Sequence, residues 1–306
     1  MHFAIIAPPV PTQKWKENFE RIAPHIHLVI GSETEHPEKV VCAMVWNQQK
    51  GALSIFKNLK LIFAMGAGVD HVLSDNTIPE HIPICRVVDQ QMAFSMSNYI
   101  LMAILNYHRS WYEFQDAQSR KHWAQFEFIE RPLKIGVLGI GHLGMDAANK
   151  IHNIGFPVIG YSNSPKKTIF PSYSGDQFDK FIEQINVLVC TVPYTPKTHG
   201  LLNYSLFEKL KEPTYLINVS RGSVQVEKDI IKALNMGLIS GAFLDVFEEE
   251  PLPKASPLWS HPKVKITPHI ASLTYPKEST RQVLNCFDRI EKGLDIPQQV
   301  SREKMY

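Results

Sequence analysis

The run Lys134-Ile135-Gly136-Val137-Leu138-Gly139-Ile140-Gly141-His142-Leu143-Gly144 constrains what this chain can fold into more than any other segment. A short apolar stretch feeds straight into G-x-G-x-x-G, and a helical pattern continues to Gly155. Each glycine has a mechanical job in a strand–turn–helix unit. Gly139 permits the tight turn, Gly141 lets backbone approach a pyrophosphate, and Gly144 lets the helix pack against the strand. The helix opening at His142 and Leu143 aims its unpaired N–H groups, and the positive end of its dipole, at an anion. Glycine-rich turns are common on their own; the correct strand and helix on either side make this one a dinucleotide loop.

The surrounding pattern is that of a doubly wound sheet. Strands are predicted at 134–138, 157–161, 187–192, 214–219, 241–246 and 264–267, with helical segments between most of them. Residues 227–236 read as a helix closed by Gly237. Ser205-Leu206-Phe207-Glu208 matches a capping box that opens another. Ligands in such a sheet lie at the carboxyl ends of the strands, which brings Val192, Pro193 and Val219 into the cofactor-binding set. Ahead of this lobe, apolar runs at 3–7, 40–46, 59–65 and 84–88 alternate with amphipathic stretches and predict a smaller parallel α/β unit without a phosphate loop. The fold class is therefore α/β, with two Rossmann-like or flavodoxin-like domains. Residues 93–123 read as one long helical stretch richer in apolar side chains than a lone surface helix needs. It buries either against a second subunit, making a homodimer, or between domains. A last helix at 277–293 could return the chain to the first lobe.

Composition excludes several classes. With 44% hydrophobic and 20% charged residues over 306 positions and a formal net charge of +2, the chain is globular and long enough for two cores. It shows no dense Lys/Arg stripe for nucleic acid. No apolar run approaches a membrane span, and Met1 to Pro8 reads as a buried first strand rather than a secretion signal. Cys42, Cys85, Cys190 and Cys286 lie far apart, which argues against a zinc site or redox motif and for reduced thiols in the cytoplasm.

Three polar groups stand at or just after successive late strands: Arg221 before Gly222, Glu250 before Pro251, and His269 after Pro268. Strand ends converge in this architecture, so the three can meet. An Arg grips a carboxylate or carbonyl with a two-pronged fork. A His trades a proton near neutral pH, and a carboxylate touching it fixes its tautomer and favours its charged form. Each has a plain alternative on its own: a solvated arginine at a strand exit, an acidic surface run, a capped surface histidine. Their joint occurrence is much harder to assign to chance.

The segments Asn218-Val219-Ser220-Arg221-Gly222, Asp245-Val246-Phe247-Glu248-Glu249-Glu250-Pro251 and Pro268-His269-Ile270-Ala271, behind the glycine motif, resemble the D-isomer-specific 2-hydroxyacid dehydrogenases. Val45-Trp46, Met65-Gly66-Ala67-Gly68-Val69-Asp70, Ser256-Pro257-Leu258-Trp259 and the tail ending at Tyr306 bring it nearest the glyoxylate/hydroxypyruvate reductase A group within that family. The resemblance implies that Arg221 binds the carboxylate and keto oxygen of a small 2-keto acid, that His269 protonates the carbonyl oxygen and that Glu250 orients it. It further implies that Asp245 faces the nicotinamide end of the cofactor and that Gly66-Ala67-Gly68-Val69 present N–H groups to the substrate carboxylate. It also makes the domains discontinuous: residues 1–92 with 282–306 bind substrate, and 93–281 bind the dinucleotide.

NAD-selective sites carry Asp or Glu after the second strand, where it accepts from the ribose 2′-hydroxyl. Here that position holds Ser162, followed by Asn163, Ser164, Pro165, Lys166 and Lys167. With no carboxylate to repel a 2′-phosphate and two lysines at hand, NADPH is expected over NADH. A solvated lysine pair is the plain alternative. Asn163 also stands where similar chains often carry Arg, which makes the expected preference modest. Other departures bear on substrate: Asn98 replaces a usual Glu, and Tyr275-Pro276 a usual Arg-Pro. Trp46 reads either as a wall against bulky substrates or as core. Two alternatives remain open: a reductase of a bulkier 2-keto acid, and a non-catalytic dinucleotide sensor, which would have no need of Arg221, Glu250 and His269 together. Zinc alcohol dehydrogenase chemistry lacks its clustered ligands.

Overall fold

Strands buried on both faces read as unbroken apolar runs, and Val40–Val45 and Val187–Cys190 are of this kind; both become interior strands of parallel sheets. The computed structural model describes residues 1–306 except Pro9, Phe126, Ile129 and Tyr306, so the end of the tail noted above lies outside the described residues. The chain divides into two units, Met1–Met92 with Leu273–Tyr306, and Ala93–Ser272.

The first unit holds a five-stranded sheet of β1 (His2–Ile6), β2 (His27–Ile30), β3 (Val40–Val45), β4 (Leu61–Ala64) and β5 (Ile84–Arg86). All pairings are parallel, and the order β2-β1-β3-β4-β5 is the flavodoxin-like one. Strand β2 was not expected: it is a four-residue edge strand with Val29 alone buried, too short to show a period. Helix α1 (Gln13–Ile22) buries Trp15 and Phe19, one turn apart, and α2 (Asp70–Leu73) is a single turn after β4. The returning chain enters this unit at Leu273, ahead of the boundary at 282 read from the sequence. The reason is α9 (Pro276–Glu291), which is one continuous helix; its Phe287 ring packs edge-on against Phe3 of β1 at 4.9 Å.

The stretch expected as one long helix is two. Helix α3 (Gln90–His108) stops, Ser110 takes a left-handed conformation with φ 54°, and α4 (Trp111–Ser119) begins. Arg131 seals the break by donating from Nη1 to the Tyr107 carbonyl at 2.6 Å and to Ser110 Oγ at 2.7 Å.

The second unit contains β6 (Ile135–Leu138), α5 (His142–Asn153), β7 (Val158–Ser162), β8 (Ser172–Ser174), α6 (Phe178–Ile182), β9 (Val187–Cys190), α7 (Tyr204–Phe207), β10 (Thr214–Asn218), α8 (Glu227–Met236), β11 (Ile239–Leu244) and β12 (Val264–Ile266). Its seven strands run parallel in the order β12-β11-β10-β9-β6-β7-β8, one more than the sequence suggested. The extra strand, β8, is a polar Ser-Tyr-Ser edge without an apolar run to announce it. Helix α7 starts before the expected capping box: Asn203 caps it, its side chain accepting from the Leu206 N–H at 3.0 Å. Helix α8 ends at Gly237, φ 73°, as expected. Strand order reverses between β6 and β9, and that switch point opens the crevice in which ligands of doubly wound sheets bind. Among the described residues no helix is long and apolar enough to cross a membrane.

Candidate active site

The glycine turn leaves β6 at the switch point. Gly139 has φ 103°, and a Cβ there would come within 2.8 Å of the Val192 nitrogen and 2.9 Å of the Thr191 carbonyl carbon. A Cβ on Gly144 would sit 2.2 Å from the Gly139 oxygen and 2.5 Å from Thr191 Oγ1, so α5 reaches the turn only because that position is glycine. Gly141 differs, since no heavy atom lies within 4 Å of where its Cβ would be. No side chain caps α5, and the first-turn N–H groups, those of His142, Leu143 and Gly144 among them, have no acceptor within the helix. An open cradle with converging donors suits a pyrophosphate. Thr191 passed unnoticed in the sequence: its hydroxyl donates to the Gly139 carbonyl at 2.8 Å and ties the β9 exit to the turn.

The other expected cofactor contacts divide by burial. Val192 is half-buried and Pro193 exposed, both beyond the end of β9, whereas Val219 is core. Ser162 closes β7 and donates its hydroxyl to the Ser164 carbonyl at 2.8 Å; Asn163, Lys166 and Lys167 are exposed beside it.

Arg221, Glu250 and His269 come from the exits of β10, β11 and β12. The His269 Nδ1 lies 2.7 Å from Glu250 Oε2. Glu250 uses its other oxygen to accept the Phe247 N–H at 3.0 Å. Burial opposes the charge on Glu250, but the hydrogen bond and charge of His269, the Phe247 N–H and the nearby Arg221 together outweigh it and hold its carboxyl below the ordinary range. The Arg221 Nη1 donates to the Ser220 carbonyl at 2.9 Å. The next residue must be glycine: a Cβ on Gly222 would fall 1.7 Å from the Phe247 oxygen, so the β10 exit lies directly against the segment carrying Glu250.

Two buried residues that the sequence did not flag lock these exits together. Asn218 donates to Gln225 Oε1 at 2.8 Å and accepts from the Ser220 N–H and hydroxyl at 3.0 and 2.7 Å. Gln225 in turn donates to the Val246 carbonyl at 2.9 Å.

Asp245, just past the end of β11, is held by the protein on several sides. It is 1% exposed, and its carboxylate turns onto the loop carrying His269, accepting from the Thr267 hydroxyl at 2.6 Å and from the Ile270 and Ala271 N–H groups at 2.9 and 2.8 Å. Burial raises its carboxyl above the ordinary value, against the pull of those donors and of His269. His269 itself has φ 54°, a conformation that an L-residue adopts at a cost, and its N–H donates to the Asp245 carbonyl at 2.8 Å.

The remaining expected site residues form a separate cluster in the first unit. Gly66, Ala67, Gly68 and Val69 make the turn between β4 and α2. Trp46, just past β3, lies flat enough on Gly66 that a Cβ there would be 2.3 Å from its Cζ3, and its ring meets His71 edge-on at 5.4 Å. Arg86, its own charge disfavoured by burial, donates to the Ala67 carbonyl at 3.2 Å and supports the turn from below.

Two parallel α/β units, one of them with a dinucleotide turn at its switch point, define a nicotinamide-dependent oxidoreductase. The family model of the D-isomer specific 2-hydroxyacid dehydrogenase NAD binding domain matches residues 101–271. Glyoxylate/hydroxypyruvate reductase A of Yersinia enterocolitica is 39% identical over 259 residues, 82% of this chain and 83% of that protein. The same-named protein of Photorhabdus laumondii is 36% identical over 288 residues, 92% of each chain. Among solved structures, a D-isomer specific 2-hydroxyacid dehydrogenase of Xanthobacter autotrophicus in complex with NADPH and MES superposes with a TM-score of 0.93 at 33% identity, covering 100% of this chain and 99% of that one. An NADPH-dependent glyoxylate/hydroxypyruvate reductase of Sinorhizobium meliloti, in complex with NADP and sulfate, gives 0.93 at 30% identity with the same coverage. The chain belongs to the D-isomer-specific 2-hydroxyacid dehydrogenase family.

Proposed function

We propose that this enzyme reduces small 2-keto acids, glyoxylate and hydroxypyruvate foremost, to the corresponding 2-hydroxy acids with NADPH, and that His269 is the proton donor. The observation carrying this reading is the 2.7 Å pair of His269 Nδ1 and Glu250 Oε2, which commits Nδ1 to the carboxylate, and we assign the transferable proton to Nε2. NADPH, when bound, supplies the hydride that adds to the keto carbon. As charge gathers on the carbonyl oxygen, His269 delivers its proton there and Arg221 stabilises the developing charge while gripping the carboxylate. Glu250 holds Nδ1–H and so orients the ring, and the proton delivered is the one on Nε2 of the imidazolium. The Gly66–Val69 turn offers main-chain N–H groups suited to a carboxylate, and Trp46 limits side-chain bulk.

The similar NADP-complexed structures support the phosphorylated cofactor, as does Ser162 at the end of β7 with Lys166 and Lys167 close by. The exposed apolar stripe Phe94, Met102 and Leu105 on α3 supports a homodimer through this helix. Four buried, unpaired cysteines fit a reducing compartment, the cytoplasm. The test is loss of dihydronicotinamide absorbance with glyoxylate or hydroxypyruvate and either cofactor, wild type against His269→Ala. Turnover should fall by about a hundredfold to ten-thousandfold in the variant while NADPH still binds. A variant as active as wild type removes His269 from the chemistry.

A further inference from the structure

We infer that Tyr99 and Thr267 are positioning residues for His269, linked to it through Asp245 in one partly buried hydrogen-bonded chain. The inference rests on His269 being the proton donor. The direction of the chain is fixed by chemistry. An ionised carboxylate only accepts, so the 2.6 Å contact between Thr267 Oγ1 and Asp245 Oδ1 uses the proton of Thr267. The threonine oxygen is then an acceptor, and the hydrogen bond joining it to the Tyr99 hydroxyl uses the proton of Tyr99. At the far end the same carboxylate takes the Ile270 and Ala271 N–H groups, and the Asp245 carbonyl takes the His269 N–H.

His269 is thus pinned on both sides in a left-handed conformation that its own loop does not favour. The anchor is Asp245, and what orients the anchor is Thr267, braced by Tyr99 on α3. Tyr99 is itself fixed, with its ring edge-on to Phe243 of β11 at 5.4 Å. Neither hydroxyl touches Glu250 or Arg221 in any hydrogen bond of the site described above, so their effect on the reaction runs through the placement of the imidazole.

The experiment uses the full-length enzyme with glyoxylate and NADPH, and reads kcat beside the NADPH Kd measured by fluorescence without substrate. Thr267→Val keeps shape and removes the donor; kcat should fall by about tenfold to a hundredfold, the scale on which ångström misplacement of a reacting group acts. The NADPH Kd should stay within about threefold, and Thr267→Ser should recover most of the lost kcat. Tyr99→Phe should lower kcat by about threefold to tenfold, and the double variant should be no slower than Thr267→Val alone, because the two act in series. A Thr267→Val enzyme within about twofold of wild-type kcat overturns the inference, as does a double variant whose losses multiply. If Thr267→Val does not fold, Tyr99→Phe decides alone, and wild-type kcat in it overturns the inference. The control is His269→Ala: if it retains turnover, the proposed chemistry itself fails, whereas an inactive His269→Ala beside an unimpaired Thr267→Val refutes only the chain.

Discussion

Glu250 accepts a hydrogen bond from Nδ1 of His269 across 2.7 Å, and its other oxygen holds the Phe247 N–H. Because its carboxyl is held below the ordinary range, it is ionised throughout the neutral region and protonates only as the pH falls through that lowered value. In Glu250→Gln the charge is lost while the shape is kept, and kcat for glyoxylate reduction should fall by about tenfold to a hundredfold. An unchanged kcat would separate Glu250 from the proton transfer.

The second and third glycines of the motif should fail differently. Gly141→Ala meets open space, so thermal stability without cofactor should be almost unchanged while NADPH Kd rises by about tenfold or more. Gly144→Ala drives a methyl group into the Gly139 carbonyl and Thr191, and should cost about 1–3 kcal/mol of folding stability before any ligand is added. Chemical denaturation and fluorescence titration of both variants check the contrast.

Cofactor choice is tested at the end of β7. Ser162→Asp places a carboxylate where a 2′-phosphate would sit, and kcat/KM with NADPH should fall at least about tenfold while that with NADH is kept or improved. Parallel initial rates with both cofactors give the answer, and an unchanged NADPH preference would place the phosphate elsewhere.

Trp46 and Gly66 form the proposed size limit. Gly66→Ala must displace the indole, because the new methyl would start 2.3 Å from Cζ3. KM for glyoxylate should rise by about tenfold with NADPH Kd unaffected. Trp46→Ala should shift kcat/KM by about tenfold or more toward a branched-chain 2-keto acid relative to glyoxylate. Identical specificity in both variants would make Trp46 a core residue only.

The exposed stripe on α3 leads to a prediction about assembly. Light scattering on the eluting peak should give the mass of two chains, and Met102→Glu, which puts a charge into that face, should shift the peak toward one. A wild-type monomer would contradict the interface.

Legibility from sequence followed the range of the interactions. The glycine turn shows because its roles are set by residues a few positions apart, and β3 and β9 show because double burial writes apolar runs. Arg221, Glu250 and His269 stood out as polar residues at predicted strand exits. What stayed hidden is held by partners distant in sequence. Nothing near Thr267 announces Tyr99 as its partner, and nothing near Asn218 announces that Gln225 reaches the Val246 carbonyl. The break at Ser110 depends on Arg131 in the same way, while the edge strands β2 and β8 bury too little to leave a pattern. The inward turn of Asp245 followed from none of its sequence neighbours, since its burial comes from the sheet around it.

The left-handed backbone at His269 has a consequence for how such an enzyme can change. The loop holds its shape through main-chain N–H groups fastened to a carboxylate behind it, and Ile270, whose N–H is one of them, points its side chain outward. Side-chain identity at such a position is therefore spare information. It can be rewritten, by drift or by an engineer, to greet a different molecule at the mouth while the acid stays where it is.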